Sequence, residues 1–122
     1  MNEEKKNLEL MKSCQNYNTW QAELIQPYLK GKILEIGSGL GSIAQYFSDM
    51  DYSGIDIDKK SIAECIIKFN NSNFFYHDIE DEVPNIFKNK FDTIILINVL
   101  EHVSEDLTIM HLKEMLKETE KS

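Results

Sequence analysis

Three glycines of this 122-residue chain, Gly37, Gly39 and Gly41, follow directly after a short apolar segment. That segment, Lys32 to Ile36, has the length and composition of a strand. Glycines after a strand let the backbone turn sharply and let a ligand lie against it. An apolar repeat at helical spacing then predicts that a helix begins inside the turn, near Leu40, and points its N–H groups into the turn. Strand, glycine turn and helix in this order form the context that a ligand-binding turn requires.

Strand and helix patterns alternate four times along the chain, which predicts right-handed crossovers and a parallel sheet. The expected fold class is therefore α/β, with a doubly wound sheet of about four strands and flanking helices. Ligands bind such sheets at the carboxyl ends of the strands, here 37–41, 56–58, 78–79 and 98–102. The predicted strands are 32–36, 52–57, 73–77 and 91–98, the last apolar on both faces and so expected to be buried on both. Helices are predicted up to about Leu29, from about Leu40 to Phe47, after Asp58, over Glu82–Phe87, and from Ser104 towards Glu118 with Leu107, Met110, Leu112 and Met115 as apolar members.

The charge of the chain disfavours two classes of partner. It has 21 acidic and 13 basic residues, a net charge of -8, and every basic residue is lysine. That field opposes docking on nucleic acid or on an anionic membrane surface, and no arginine is present for bidentate phosphate contacts. No apolar run reaches the roughly 18 residues of a membrane helix, and the N-terminus is unlike a signal peptide. Cys14 and Cys65 are expected to be free packing thiols in a reducing compartment, so we expect a cytoplasmic protein.

An aspartate at the end of the second predicted strand is a further candidate ligand-binding residue. Asp56 follows Gly37 by 19 positions, where a carboxylate can accept hydrogen bonds from both hydroxyls of a ribose. The competing interpretation is a strand-end residue that begins an Asx turn, with Asp58 as a helix cap, and Asp58 fits that role better. The glycine spacing is G-x-G-x-G, with Ser42 where a dinucleotide pattern needs glycine or alanine, and Glu35 stands two residues before the first glycine. Both departures disfavour a nicotinamide ligand.

Five segments, in this order and spacing, resemble the class I S-adenosylmethionine (SAM) dependent methyltransferases. They are Tyr17-Asn18-x-Trp20, Ile33 to Gly41, Gly54-Ile55-Asp56, His77-Asp78-Ile79-Glu80, and Phe91-Asp92-x-Ile94 through Val99-Leu100-Glu101-His102-Val103. The resemblance runs from about Tyr17 to Leu116. It implies a Rossmann-like sheet with strand order 3-2-1-4. It also implies one domain over 1–122, with an N-terminal helical lid over 1–30 and βα repeats over 31–122.

The resemblance implies SAM as the cofactor and gives each candidate residue a role. Glu35 and the backbone of the glycine turn would hold the methionine part, with the Asn98 backbone near the amino group. Tyr17 and Trp20 would come from the lid, although Trp20 is expected to pack in the core first. Glu35 needs a partner in any case, because it is an acid within an apolar strand end.

The adenosine part of SAM would be held by the turns after the second and third strands. Asp56 would bind the ribose, Ile57 would lie against the adenine, and Asp78 would accept from its amino group while the Ile79 N–H reaches the ring. The alternative for Asp78 is a plain turn residue. The complete set of implied cofactor-binding residues is Tyr17, Trp20, Glu35, Gly37, Ser38, Gly39, Gly41, Asp56, Ile57, Asp78, Ile79 and Asn98.

Glu101 and His102 follow the fourth predicted strand and have two interpretations. Ubiquinone-pathway O-methyltransferases and small-RNA 2′-O-methyltransferases bind a divalent metal through E-x-x-E-H here. Asn98 replaces the first glutamate, so no complete metal site is expected. His102 is the candidate catalytic residue, a general base near the acceptor, because imidazole titrates near neutral pH; alternatively, Glu-His only ends the strand. His77 and His111 are interpreted as structural, at a strand end and on a helix surface.

The function implied is methyl transfer from SAM to a small-molecule or metabolite acceptor, for which the protein aligns the nucleophile and excludes water. The resemblance implies seven strands and this chain supplies four, so the fourth strand is expected to be an exposed edge. Three explanations for the missing strands are ranked. The first is that the chain is a piece of a longer protein, the second is that another chain supplies the remaining strands, and the third is that two copies pair through the fourth strand. The alternative functions are a non-catalytic half-domain or pseudoenzyme subunit that binds SAM or S-adenosylhomocysteine (SAH), a nicotinamide-binding half-domain, and a remnant without a ligand.

Overall fold

A four-stranded parallel sheet forms the centre of the fold, in a computed structural model that describes residues 3–71, 73–97 and 99–118. Its strands are β1 (Ile33–Ile36), β2 (Tyr52–Asp56), β3 (Phe74–Tyr76) and β4 (Thr93–Leu96). They lie in the order β3-β2-β1-β4, which confirms the predicted α/β class and strand order. In this register Glu35 of β1 stands between Gly54 of β2 and Ile95 of β4.

The α-helices that cover the sheet are α1 (Glu3–Ile25), α2 (Lys59–Phe69) and α3 (Glu105–Met115). Asp58 caps α2, because its carboxylate accepts a hydrogen bond of 3.0 Å from the Lys60 N–H. Ser104 caps α3, because its hydroxyl accepts one of 3.4 Å from the Leu107 N–H. Both predicted caps are therefore confirmed. Within the described ranges, no helix is both long and apolar enough to cross a membrane.

Alternate strand residues fill two hydrophobic cores on opposite faces of the sheet, as the strand period of two requires. Ile33 faces α1 and α2 and packs in a core that includes Ala22 and Cys65. Leu34 and Ile36 face α3 and pack in the second core. Because both cores hold the strands firmly, the loops that follow the strands are fixed along the carboxyl edge of the sheet.

The predicted helix after the glycine turn is wrong, because only a 3-10 turn, Ala44–Phe47, forms there. Gly39 and Gly41 have φ angles of +54° and +81°, so a right-handed helix cannot run through them. The segment Glu82–Phe87 is likewise only a 3-10 turn, Asn85–Phe87. The N–H groups of the glycine turn therefore do not form the start of an α-helix.

Helix α3 buries only part of the predicted face, because Leu112 and Met115 pack in the second core whereas Leu107 and Met110 do not. Thr108, His111 and Met115, spaced i, i+3 and i+7, are buried. Leu107 and Met110, which were expected to face the core, are 40% and 48% exposed. The surface position predicted for His111 is therefore wrong. All residues on the helix face that packs against the sheet become buried, and a polar residue is tolerated there when its hydrogen bonds are satisfied.

The predicted burial of Trp20 and of strand β4 is also wrong. Trp20 is 54% exposed rather than packed in the core, and the small residue Ala22 is the buried one on this part of α1. Strand β4 is not buried on both faces. Only Ile95 is fully buried there, and its neighbours in the strand are half-buried, because β4 lies at the edge of the sheet.

Candidate functional site

A cleft of about 320 Å³ opens at the carboxyl edge of the sheet, where the loops after the four strands meet. Its size lies within the range of about 300–1,000 Å³ that is usual for small-molecule sites. Five ionisable side chains border it, and the rest of the wall is mainly aliphatic. The lining residues are Ile36, Gly37, Ile55, Asp56, Ile57, His77, Asp78, Ile79, Glu80, Ile97, Val99, His102 and Val103.

Asp56 joins the turn after β1 to the turn after β2. Its Oδ2 accepts a hydrogen bond of 2.8 Å from the Gly39 N–H, and its Oδ1 accepts one of 2.8 Å from the Asp58 N–H. The second bond closes an Asx turn, and the first bond anchors the glycine turn. Each carboxylate oxygen has two lone pairs, so Asp56 can still accept hydrogen bonds from a ligand.

Gly37 and Gly39 leave bare backbone beside the cleft. Their φ angles, +75° and +54°, lie in the left-handed region that favours glycine. A Cβ on Gly37 would stand 2.7 Å from Val99 Cγ2, so the loop after β4 leaves no room for a side chain there. A Cβ on Gly39 would meet no atom within 4 Å. The space beside Gly39 and the Asp56 carboxylate is therefore open to a ligand.

Ser38 and Gly41 shape the turn from within and do not line the cleft. The Ser38 N–H donates to the Ile55 carbonyl at 3.1 Å, beside a bond of 2.8 Å from the Gly37 N–H to the same oxygen. The Ser38 side chain is buried, and its Oγ has no hydrogen-bond partner in the described part of the chain. A Cβ on Gly41 would run into the Phe69 ring of α2. Close packing thus fixes the turn on the side away from the cleft.

Glu35 lies beneath the turn, in the core between the sheet and α1 and α2. It is 3% exposed, and its Oε1 accepts a hydrogen bond of 2.8 Å from the Tyr52 hydroxyl. Burial raises the pKa of Glu35 from 4.5 to about 7, the bond from Tyr52 opposes the rise, and the charge of Asp56 adds to it. Burial and the nearby carboxylate also raise the pKa of Tyr52. The acid has the partner that it needs, but it does not border the cleft.

Hydrogen bonds join residues within the turn after β3 and also join this turn to α3. Asp78 Oδ1 accepts a hydrogen bond of 2.9 Å from the Glu80 N–H, which is the bond of a plain turn residue. Glu80 Oε1 accepts one of 2.5 Å from the Ser104 N–H. The Ile79 carbonyl and His111 Nδ1 are also 2.5 Å apart. Asp78 nevertheless borders the cleft, and its Oδ2 is not bonded within the described residues.

Two histidines border the cleft in different settings. His77 follows β3 and packs edge-on against Phe87, with ring centroids 5.9 Å apart. Its Nε2 is buried without a partner among the residues described, and desolvation lowers the pKa of His77, so that its ring is neutral at pH 7. His102 is exposed, and its Nε2 lies 3.2 Å from Glu101 Oε1. Of the two, His102 is the more exposed to solvent.

The structure gathers six of the predicted site residues around the cleft. They come from the ends of β1 and β2, from the turn after β3 and from the loop after β4, so the expected meeting of these four loops is observed. The six residues are Gly37, Asp56, Ile57, Asp78, Ile79 and His102.

The other predicted site residues do not line the cleft. Ser38, Gly39 and Gly41 belong to the adjoining turn, and Glu35 lies below it. On α1, Tyr17 and Trp20 are about half exposed, with ring centroids 6.0 Å apart, and neither borders the cleft. The remaining prediction, Asn98, lies outside the described residues.

Two contributing residues were missed at the level of sequence, and each left a signal. Tyr52 stands two residues before Gly54, the partner of Glu35, so it points to the same face of the sheet. The signal for Tyr52 is therefore a hydroxyl donor on the same face of the sheet as the buried acid. His111 shares a helical stripe with Thr108 and Met115, which marks it as buried once polar residues are counted.

A family model described as a methyltransferase domain matches residues 34–119. Among solved structures, the TehB-like SAM-dependent methyltransferase from Corynebacterium glutamicum is 25% identical with a TM-score of 0.63, over 86% of this chain and 67% of that one. The PH0226 protein from Pyrococcus horikoshii is 19% identical, with a TM-score of 0.65 over 81% and 53%. A SAM-dependent methyltransferase from Archaeoglobus fulgidus is 17% identical, with a TM-score of 0.64 over 82% and 48%. The chain thus spans from about half to two thirds of their lengths. No curated protein matches it.

Proposed function

The chain belongs to the methyltransferase domain family, and on that premise we propose that it binds SAM in the cleft at the carboxyl edge of the sheet and directs its methyl group to a small acceptor. SAM is the cofactor, and when bound it supplies a methyl group that its positive sulfur activates for displacement. The observation that carries the placement is the Asp56 carboxylate at the mouth of the cleft, held by the N–H groups of Gly39 and Asp58.

The residues around Asp56 fit a nucleoside. The carboxylate is fixed by two backbone donors and still has lone pairs for the two ribose hydroxyls. Open space lies beside the bare backbone of Gly39. Ile57, the next residue after Asp56, is 67% exposed at the edge of the cleft, so its side chain is free to cover one face of a planar base. Burial of that side chain against a base would also remove apolar surface from water.

The turn after β3 fits the polar edge of adenine. Asp78 Oδ2 is an acceptor that can bind the exocyclic amino group, and the Ile79 N–H is a donor that can bind a ring nitrogen. Within the described residues neither group has a hydrogen-bond partner, and both residues border the cleft. Polar groups placed in this way would distinguish adenine from a base with the opposite donor and acceptor pattern.

His102 is the residue that we propose for proton transfer. A displacement at the methyl group needs an aligned nucleophile and little else, so one base at the entrance is sufficient. His102 would take the proton that the acceptor loses, and Glu101, 3.2 Å away, would stabilise the positive charge that the ring then carries. This role requires that the acceptor enters beside the loop after β4.

The acceptor class and the partner also belong to the proposal. A net charge of -8 favours a neutral or cationic small molecule over nucleic acid. The outer edge of β4 is covered in the described region only near its start, by the bridge between Phe91 and Leu116. We propose that a further strand, from the same protein or a second chain, completes this edge. Transfer by the whole protein is then the expected activity, whereas binding without transfer would favour the non-catalytic alternative.

Calorimetric titration of the full chain with SAH tests the placement. We expect Gly39→Ala to weaken SAH binding at least about tenfold, because its Cβ enters the space proposed for the ligand. Asn89→Ala is the matched control, since Asn89 has a φ of 53°, nearly that of Gly39, and precedes β4 at the opposite edge of the sheet. It should leave the affinity unchanged. A wild-type chain that does not bind SAH, or a Gly39→Ala variant that binds it equally well, would overturn the proposal.

A further inference from the structure

Two contacts from α3 hold the turn that follows β3. The Ser104 N–H, at the start of α3, donates to Glu80 Oε1 at 2.5 Å. About two helical turns further along α3, His111 Nδ1 lies 2.5 Å from the Ile79 carbonyl oxygen. The turn between Asp78 and Asp81 closes on itself as well, through a bond of 2.9 Å from the Asp81 N–H to the Asp78 carbonyl. The turn is therefore fixed from within and from α3.

The contact from His111 has a defined chemical direction. A carbonyl oxygen only accepts hydrogen bonds, so the proton must be on His111 Nδ1. The imidazole is 5% exposed and lies among buried residues of α3, between Thr108 and Met115. A buried carbonyl that lost this donor would be left without a partner, and the turn would have to change its conformation to recover one.

Two polar groups of the same turn have unused hydrogen-bonding capacity, and both belong to residues that border the cleft. The Ile79 side chain is buried in the core beside Val83 and Phe87, and its carbonyl is held by His111. The groups of this segment that remain without a partner within the described residues are Asp78 Oδ2 and the Ile79 N–H. The Ile79 N–H belongs to the peptide bond before the Ile79 Cα and the carbonyl held by His111 to the one after it, so only the φ and ψ angles of Ile79 separate the two groups. Because the Ile79 side chain is packed in the core and its carbonyl is held, the direction of the Ile79 N–H and the position of the preceding residue, Asp78, are fixed as well.

We infer that His111 is a positioning residue for adenine recognition, which acts by holding the Ile79 carbonyl so that the Asp78 carboxylate and the Ile79 N–H face the base. This inference rests on the proposed function, in which those two groups bind adenine. His111 itself does not border the cleft, so it acts on the ligand only through the turn. It follows that loss of the His111 donor should reduce selectivity for adenine as well as affinity.

The test compares SAH with S-inosylhomocysteine, in which the amino group is replaced by oxygen and the neighbouring ring nitrogen carries a proton. Both ligands are titrated by calorimetry into the full chain and into three variants. His111→Phe keeps a ring but removes the donor. His111→Asn keeps an amide N–H near the position of Nδ1. Thr108→Val is the matched control in the same helix, because Thr108 is also buried but its Oγ1 has no partner among the described residues.

We expect His111→Phe to weaken SAH binding about tenfold and to bring the two dissociation constants close together. His111→Asn should restore affinity to within about threefold of wild type and restore selectivity, and Thr108→Val should change neither. Should His111→Phe not unfold cooperatively, His111→Gln takes its place, since its amide lies near the position of Nε2 and should not rescue selectivity. If His111→Phe binds SAH with the affinity and the selectivity of the wild-type chain, this inference is overturned and the proposed function is not. Failure of the wild-type chain to bind SAH would overturn the proposed function, and this inference with it.

Discussion

The Tyr52 hydroxyl donates a hydrogen bond of 2.8 Å to Glu35, which joins the first residue of β2 to an acid that is almost completely buried in β1. A buried carboxyl group is costly unless it is hydrogen-bonded or protonated, and here both apply in part. Burial raises the pKa of Glu35 to about 7. The stability of the fold should therefore depend on pH close to neutrality.

We expect the free energy of unfolding to fall as the pH rises from about 5 to 8, and we expect Glu35→Gln to flatten that slope. The pKa of Glu35 is about 7 in the folded chain and near 4.5 when exposed, so the folded state holds a proton that the unfolded state has released. This contribution is complete below about pH 4.5 and is lost as the pH rises through 7, and it amounts to roughly 3 kcal/mol. Urea unfolding of both proteins across this range measures it, and equal slopes would contradict the assignment.

Tyr52→Phe should be more harmful at high pH than at low pH. The variant keeps the ring, which stacks on Phe47 with centroids 5.9 Å apart, and removes only the donor. Above pH 7 the ionised Glu35 loses its partner, for a cost of about 1–3 kcal/mol, whereas below pH 5 the protonated acid needs it less. A double-mutant cycle with Glu35→Gln isolates the pair. The same cost at both pH values would show that the hydroxyl acts on something other than the charge of Glu35.

Substitutions of Asp56 and Asp58, which are two positions apart, should affect ligand binding and helix capping separately. Asp56→Ala removes the acceptor for the Gly39 N–H and for the ribose, so the dissociation constant of SAH should rise at least about tenfold. Asp58→Ala removes the cap of α2 and should lower the Tm, while SAH binding is retained, because its carboxylate bonds Lys60 and Ser61 and does not border the cleft. Calorimetry and thermal unfolding of both variants measure the two effects. Equal loss of binding in the two would contradict this division of roles.

Removal of one buried hydroxyl should stabilise the fold. Thr108 is completely buried in α3, and its Oγ1 has no hydrogen-bond partner within the described residues. Thr108→Val replaces that hydroxyl by a methyl group of similar shape, so the free energy of unfolding should increase by about 1 kcal/mol. Urea unfolding measures the change. A decrease would mean that the hydroxyl makes a bond that α3 depends on.

The strands of the sheet could be predicted because each has a local signal, whereas their order followed only from the family resemblance. The apolar segments before Gly37 and Asp56 and the caps Asp58 and Ser104 lie next to the elements that they define. These signals depend on neighbours in sequence, which is why the carboxyl-edge position of Asp56 and Asp78 could also be predicted.

The glycine turn and α3 could not be predicted in the same way. The repeat from Leu40 to Phe47 is helical in spacing, but the left-handed φ angles of Gly39 and Gly41 interrupt it at its start, and only the 3-10 turn Ala44–Phe47 forms before β2. His111 bonds to a carbonyl 32 residues earlier, and nothing local indicates that partner. A pattern of apolar residues alone therefore places Leu107 and Met110 on the buried face together with Leu112 and Met115, of which only the last two pack in the core.

Thermal unfolding of the full chain with SAH, and separately with NADH, tests the central claim most directly. At about 100 times its dissociation constant, a ligand that binds only the folded state adds roughly 2.7 kcal/mol, which raises the Tm by several degrees. The proposed site predicts that SAH raises the Tm and that NADH does not. A cooperative transition that SAH leaves unchanged, or that only NADH raises, would contradict a SAM site at the carboxyl edge of this sheet.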